Sequence, residues 1–428
     1  TAIESGDLTA AARLVQDCAD VNAMDANGVS PLYLATQGNH VEIADILLKA
    51  GANLATIRSS LYLAVENEQM ALLQVILDNE SARSAPTYSL LAKAVSGGNI
   101  EVVRLLVEKT NSQKFWGHGL NTAIEKGHSE IAKLFIDSGL AVNEGYRKPL
   151  DLAAVYGNIE IARLLLARGA DVNHERSGYK SPLSYAVKNQ DAKMVKLLLS
   201  NGAHIMRNHI AILVSNGSTL PLSIPNDEEE KRVTILKLFL DHSKNITQDV
   251  DIIFWTSQLK SAVNGGNAKI AEICLTQNAD VNKAGYFWVS QRANELRSPL
   301  LHAVHNRNLE LVRILLKYDA ETEWSHPERG LSSLHVAAMK GYPEIARLLI
   351  ENGADIDAAH HSERTSWRTQ RTPLHWAAAA GHYEVVRILL DAGASIDARD
   401  EYGQTPLDLA TEERKAAVAE LLKADGGI

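Results

Sequence analysis

The sequence predicts an all-α fold in which about 13 helix-turn-helix units stack side by side. One phrase recurs, once as the stretch 148–173 and again as 372–397, and most steps between copies are 28 to 34 residues. Within each copy, two apolar stretches with helical spacing flank one separating residue. The separators are Gly6, Gly38, Asn67, Gly98, Gly127, Gly157, Asn189, Gly217, Gly266, Arg307, Gly341, Gly381 and Arg414.

The copy at 372–397 shows why each unit is a pair of helices. Thr372 and Pro373 supply a capping side chain and a proline at the first helical position. Gly381 is placed to end this helix, because glycine adopts a positive φ at little cost. Two sets of apolar residues share a helical face each, so neighbouring units must cover them. These sets are Leu374, Ala377 and Ala378 in the first helix, and Val385, Ile388 and Leu389 in the second.

The run Thr372-Pro-Leu-His375 closely resembles the signature of the ankyrin repeat family, which has a period of about 33 residues. The resemblance covers nearly the whole chain and is poor at 206–263. It implies a solenoid with β-turn fingers between units, and a scaffold that binds a protein or peptide on its concave face and fingers. An enzymatic role is not predicted, because the sequence contains no recognisable catalytic motif.

Irregularities in the repeat predict three regions. Residues 1–216 hold about seven units, the first one partial, and 266–428 hold units with extended fingers and a polar C-terminal cap. Between them, 217–265 is an irregular unit in which Pro221 and Pro225 exclude a continuous helix. The acidic run 227–230 is interpreted as a solvated helix start, with an acidic docking loop as the alternative. Because the chain starts at Thr1 without methionine, a further alternative is a repeat segment cut from a larger signalling or effector protein.

Composition excludes several classes of protein. The 428 residues include 43 Lys and Arg against 52 Asp and Glu, for a net charge of −9, so nucleic acid is not an expected partner. No apolar run approaches the roughly 20 residues that span a bilayer. Cys18 and Cys274 are the only cysteines, which favours a reducing, cytoplasmic location over a disulfide framework.

Three consecutive fingers depart from the ordinary length. An ordinary finger such as Asn173 to Ser181 takes 8 steps, whereas those at 282–298, 323–332 and 357–372 take 16, 9 and 15. Exposed Trp, Tyr and Arg are typical of interface hot spots, so these fingers predict a binding site for a protein or peptide with acidic and apolar residues. The predicted contact residues are Tyr286, Phe287, Trp288, Arg292, Trp324, His326, His360, His361, Arg364, Trp367 and Arg368.

Two alternatives stay open for the fingers at 283–297, 323–331 and 358–371. Their aromatic residues could pack on one another, or the fingers could form a ligand-binding or unusual enzymatic pocket. No catalytic motif, phosphate-binding glycine loop or complete zinc set is recognisable, so no cofactor, metal or catalytic residue is predicted. His302, His335 and His375 are interpreted as repeat residues that hydrogen-bond backbone between units, and His40, His128 and His382 as structural.

Overall fold

A computed structural model describes the chain over eleven stretches, within which two compact units are distinguished, Thr1–His204 and Ile205–Ile428. The described residues are 2–83, 87–110, 113–143, 148–174, 181–215, 226–242, 251–283, 285–290, 293–323, 331–359 and 370–427. Both units have the architecture of stacked helix pairs that the sequence predicts.

The Thr1–His204 unit consists of an unpaired helix followed by helix pairs. Its helices are α1 (Leu8–Gln16), α2 (Pro31–Gln37), α3 (Val41–Lys49), α4 (Leu54–Glu66), α5 (Met70–Asp78), α6 (Glu80–Arg83), α7 (Thr87–Gly97), α8 (Ile100–Lys109), a 3₁₀ helix (Gln113–Phe115), α9 (Trp116–Lys126), α10 (Ser129–Asp137), α11 (Pro149–Tyr156), α12 (Ile159–Ala167), α13 (Pro182–Lys188) and α14 (Ala192–Ser200).

The Ile205–Ile428 unit continues the pattern and adds a short β-hairpin. Its elements are α15 (Arg207–Val214), α16 (Asn226–Asp241), α17 (Ile252–Asn264), α18 (Ala268–Thr276), β1 (Gly285–Ser290), β2 (Ala293–Arg297), α19 (Pro299–His305), α20 (Leu309–Lys317), α21 (Ser333–Lys340), α22 (Pro343–Glu351), α23 (Pro373–Ala380), α24 (Tyr383–Asp391), α25 (Pro406–Glu412) and α26 (Ala416–Ala424).

Local sequence sets these boundaries as predicted. Thr372 is the N-cap of α23 with Pro373 at its first position, and Gly381 ends the helix in the left-handed conformation at φ +82°. Asp227 lies in an acidic first turn of α16, which confirms the predicted helix start there. The predicted separator Gly217 lies outside the described residues.

The helices pack in two layers within each unit. Each first helix of a repeat packs on the first helix of the next repeat, as α21 does on α23, and each second helix packs on the next second helix, as α22 does on α24. Leu374, Ala377 and Leu389 are fully buried by these contacts. Neighbouring repeats therefore supply the core that one repeat lacks.

An asparagine at the start of four fingers ties consecutive repeats together. Asn173 donates an Nδ2–H to the carbonyl of Gly202 at 2.9 Å, and its Oδ1 accepts the N–H of His204 at 2.8 Å. Asn22, Asn143 and Asn282 make the same pair of bonds to the repeats that follow them. These bonds fix the base of each of these four fingers against the next repeat.

Candidate functional site

The first extended finger contains an antiparallel hairpin. Its register pairs Gly285 with Arg297, Phe287 with Glu295 and Trp288 with Asn294, and the pairing shifts between Trp288 and Ser290. The family resemblance implies a β-turn finger, so a hairpin made of two strands is an addition to the predicted fold. It places residues 285–290 and 293–297 in two paired strands between α18 and α19 in the chain.

The base of this hairpin is seated on the preceding repeat. β1 packs against α17, where a Cβ added to Gly285 would lie 3.1 Å from Nζ of Lys260. At the other end, Arg297 is 3 % exposed and lies close to the buried ring of His302. Burial, together with the charge of Arg297, lowers the pKa of His302 to about 3, so this ring is neutral.

Histidines of the repeat signature hold the ends of the following fingers. Nδ1 of His335 accepts from the Ser332 backbone N–H at 3.3 Å and lies 2.8 Å from the Ser332 hydroxyl, while Nε2 donates to the Arg371 carbonyl at 3.1 Å. His375 does the same between Thr372 and the Gln404 carbonyl. The predicted backbone bonding between units is confirmed for both histidines. His302 instead places Nε2 2.8 Å from Nδ2 of Asn306 in its own helix.

Arg371, the last residue of the third extended finger, is bound to the ordinary finger that follows. Its Nε donates to Oδ2 of Asp400 at 3.0 Å, and its guanidinium lies 5.7 Å from the ring centroid of Trp376. Oδ1 of Asp400 also accepts the backbone N–H groups of Tyr402 and Gln404, each at 2.9 Å. One buried carboxylate thus closes the ordinary finger and anchors the extended one.

The predicted contact residues are only partly placed by the structure. The backbone of Tyr286, Phe287 and Trp288 lies in β1, and nothing further is described for these side chains. The other predicted residues lie outside the described residues: Arg292, Trp324, His326, His360, His361, Arg364, Trp367 and Arg368. What the structure adds is the anchoring of the finger ends.

The remaining structural histidines behave as predicted. His128 and His382 lie within hydrogen-bond distance of the preceding repeat, with Nε2 3.4 Å from the Ser96 carbonyl and 3.2 Å from the Met339 carbonyl. The ring of His40 lies against Gly6, since a Cβ there would be 2.7 Å from Cε1. Each therefore joins consecutive repeats.

The described residues also bear on three further possibilities, namely a metal site, a reactive thiol and a membrane-spanning helix. No group of three or more His, Cys, Asp or Glu side chains there could hold a metal ion. Cys274 is fully buried in α18 as an apolar filler, as predicted, and its burial raises the pKa of the thiol to about 12. No helix in the part of the chain searched is long and apolar enough to cross a membrane.

One buried charged pair was not predicted from the sequence. His174 places Nε2 3.0 Å from Oδ2 of Asp151 and Nδ1 2.8 Å from the Asp171 carbonyl. Both acceptors lack hydrogens, so the ring must be protonated to make both bonds, and the bond to Asp151 raises the pKa of His174. The signal was present: Leu150-Asp151 has an aspartate where the repeat signature has histidine.

Family comparisons agree with this architecture. The chain matches the family description "Ankyrin repeats (3 copies)" at residues 61–144, 91–176, 123–209, 259–360 and 358–428, and "Ankyrin repeats (many copies)" at 1–48. The chain therefore belongs to the ankyrin repeat family. The stretch 210–258 lacks a match, although α15 and α16 still form a helix pair there.

Individual relatives are similar over different shares of their length. A putative ankyrin repeat protein of Rickettsia felis is 25 % identical over 342 residues, which cover 78 % of this chain and 76 % of that protein. The ankyrin repeat and KH domain-containing protein mask-1 of Caenorhabditis elegans is 25 % identical over 76 % of this chain but only 8 % of its own length. Protein phosphatase 1 regulatory subunit 27 of Mus musculus is 49 % identical over 61 residues, which are 14 % of this chain and 39 % of that protein.

Proposed function

We propose that this protein is an interaction scaffold that binds a partner protein or peptide through its concave face and its three extended fingers. The observation that carries the proposal is the run of consecutive long fingers in one stacked unit, with 16, 9 and 15 steps where ordinary fingers take 8. Insertions in repeat proteins lie on one face, which is often the binding face. Family membership supports protein binding as the general role.

The anchoring of the finger ends supports the proposed mechanism, which is pre-organisation. His335 and Arg371 hold the C-terminal end of the third finger, and the hairpin base is seated on α17. A finger whose ends are fixed before binding loses less conformational entropy when a partner docks. The partner would contact Trp288, Trp324 and Trp367, with His361, Arg364 and Arg368 supplying polar contacts.

The double variant Trp288→Ala with Trp367→Ala tests the proposal. Affinity capture from a lysate of the source organism, followed by quantitative mass spectrometry, should show partners retained by the wild type and reduced at least about tenfold by the double variant, since each hot-spot residue contributes about 2 kcal/mol. Tyr402→Ala is the matched control, because Tyr402 is 67 % exposed on an ordinary finger.

The helical circular dichroism of the double variant distinguishes a binding role from a packing role. An unchanged spectrum with reduced capture supports the proposal. If the variant instead unfolds the C-terminal repeats, the tryptophans are core residues and the finger site is wrong. Capture equal to that of the wild type would also contradict it.

A further inference from the structure

The Thr1–His204 unit carries an exposed aromatic cluster, far in sequence from the extended fingers. The ring of Tyr88 lies 5.2 Å from that of Phe115 and 5.7 Å from that of His118. Nζ of Lys114 lies over the Phe115 ring at 4.9 Å from the centroid. Tyr88 is 45 % exposed, and Lys114 and His118 are exposed as well. A cluster of exposed aromatic rings is typical of interaction sites.

This cluster is part of a strip that crosses three adjacent first helices. α7 packs on α9 on one side and on α4 on the other. On the α4 side, the Tyr62 hydroxyl hydrogen-bonds the Ser89 hydroxyl, next to Tyr88 in the chain. Arg58 is exposed on α4 one turn before Tyr62. We name this strip the first-helix patch: Arg58, Tyr62, Tyr88, Lys114, Phe115 and His118.

The charge of the patch is opposite to that of the whole chain. Residues 54–65, 87–97 and 113–124 contain Arg58, Lys93 and Lys114 and no Asp or Glu, in a chain of net charge −9. Acidic side chains occur only at the C-terminal ends of these helices, where Glu66 is paired with Lys93 at 2.9 Å. The side chains of Arg58 and Lys114 thus give the aromatic strip a positive field.

We propose that the first-helix patch docks an extended peptide segment that carries carboxylates beside an aromatic or aliphatic side chain. The apolar side chain would pack on Tyr88 and Phe115, and the carboxylates would be attracted by Lys114 and Arg58. A nucleic acid would need a continuous basic track, whereas these cations are separated by aromatic and hydroxyl groups. The inference shares one premise with the proposed function, namely that the chain is a binding protein.

A selection from a phage-displayed library of random peptides of about 12 residues tests the proposal. The full chain is the target, and the peptides are recovered without subtraction on any variant. The recovered peptides should pair Asp or Glu with Phe, Trp, Leu or Ile. For one such synthetic peptide, fluorescence anisotropy should give a Kd raised at least about tenfold by Tyr88→Ala and by Lys114→Glu.

Matched controls come from equally exposed residues elsewhere. Tyr383 is 41 % exposed in the other unit, and Lys133 is exposed on the second helix α10. Tyr383→Ala and Lys133→Glu should leave the peptide Kd unchanged, and so should Trp288→Ala with Trp367→Ala. This last result separates the two proposals, because failure of the finger site leaves binding at the first-helix patch intact.

Four results would overturn the inference. The recovered peptides could show no acidic enrichment, or could bind the Tyr88→Ala and Lys114→Glu variants as tightly as the wild type. A single-stranded oligothymidine that binds the wild type and loses affinity in the same variants would assign the patch to nucleic acid. Sedimentation velocity showing a dimer that Tyr88→Ala dissociates would assign it to a second copy of the chain. Lys114→Ala removes the charge with a small side chain. Its circular dichroism should match that of the wild type, which shows that a loss of peptide binding is not caused by unfolding.

Discussion

The ring of His382 lies directly over Gly341 of the preceding repeat. A Cβ added to Gly341 would be 2.5 Å from Nδ1 of His382, and the Gly341 backbone has a φ of +69°. The same ring places Nε2 3.2 Å from the Met339 carbonyl. Gly341 is therefore required for two reasons. It adopts the left-handed conformation between the two helices, and it leaves space for the His382 ring that caps the end of the helix.

Gly341→Ala is expected to destabilise the protein by about 3 kcal/mol. About 1 kcal/mol comes from the left-handed backbone, and the rest from the collision with His382 and loss of its bond to Met339. Gly353→Ala is the matched control, because Gly353 has a φ of +84° and nothing within 4 Å of an added Cβ. Urea unfolding followed by circular dichroism should show a clearly larger loss for Gly341→Ala. Equal losses would show that the ring moves aside freely.

Most of the fold could be predicted from the sequence, because the same capping and turn residues recur in successive repeats. Gly341, Gly381 and the Thr372-Pro373 start were predicted from spacing and capping alone, and the structure places them as expected. One detail differs at Gly38, which has a φ of −81°, while the following Asn39 takes the left-handed conformation at +56°. The separator residue therefore marks the turn to within one position.

The anchoring of the candidate site could not be predicted in the same way. The contact between Arg371 and Asp400 joins residues 29 apart, and nothing local in either segment specifies it. The sequence does indicate the turn that Asp400 closes, because Asp-x-x-Gly recurs before Ser30 and before Thr405, at Asp25 and Asp400. It does not indicate the partner of the carboxylate. Which cation lies against that carboxylate depends on how consecutive fingers stack.

Asp400→Ala is expected to cost about 3 kcal/mol of unfolding free energy. The Asp400 side chain is fully buried and the Arg371 side chain is 20 % exposed, so removal of the carboxylate leaves a mostly buried cation and two N–H groups without their acceptor.

The exposed pair of Arg387 and Glu384 provides the control for Asp400→Ala. Both side chains are more than half exposed, so Arg387→Met should cost no more than about 0.5 kcal/mol. Urea midpoints of the two variants, measured side by side, give the comparison. If Asp400→Ala is as mild as Arg387→Met, the Arg371 anchor contributes little to the finger.

The two units are expected to respond to acid in opposite directions through their histidines. His209, in the Ile205–Ile428 unit, is 1 % exposed, and its burial lowers its pKa to about 4. Between pH 6.5 and 4 the unfolded state binds a proton at this residue and the folded state does not, so stability falls as the pH falls. In the Thr1–His204 unit, the bond to Asp151 raises the pKa of His174. The stabilisation from that pair is complete below pH 6.5 and is lost as the pH rises through the folded pKa.

Urea-induced pulse proteolysis at pH 5 and pH 7, with mass spectrometry of the fragments, measures this difference. Going from pH 7 to pH 5, the His209→Gln variant should lose about 2 kcal/mol less stability in the Ile205–Ile428 unit than the wild type loses, since one pKa unit corresponds to 1.36 kcal/mol. His174→Gln should weaken the Thr1–His204 unit more at pH 5 than above pH 7. An acid response that is identical in the wild type and His209→Gln would show that the buried imidazole does not govern the acid sensitivity of its unit.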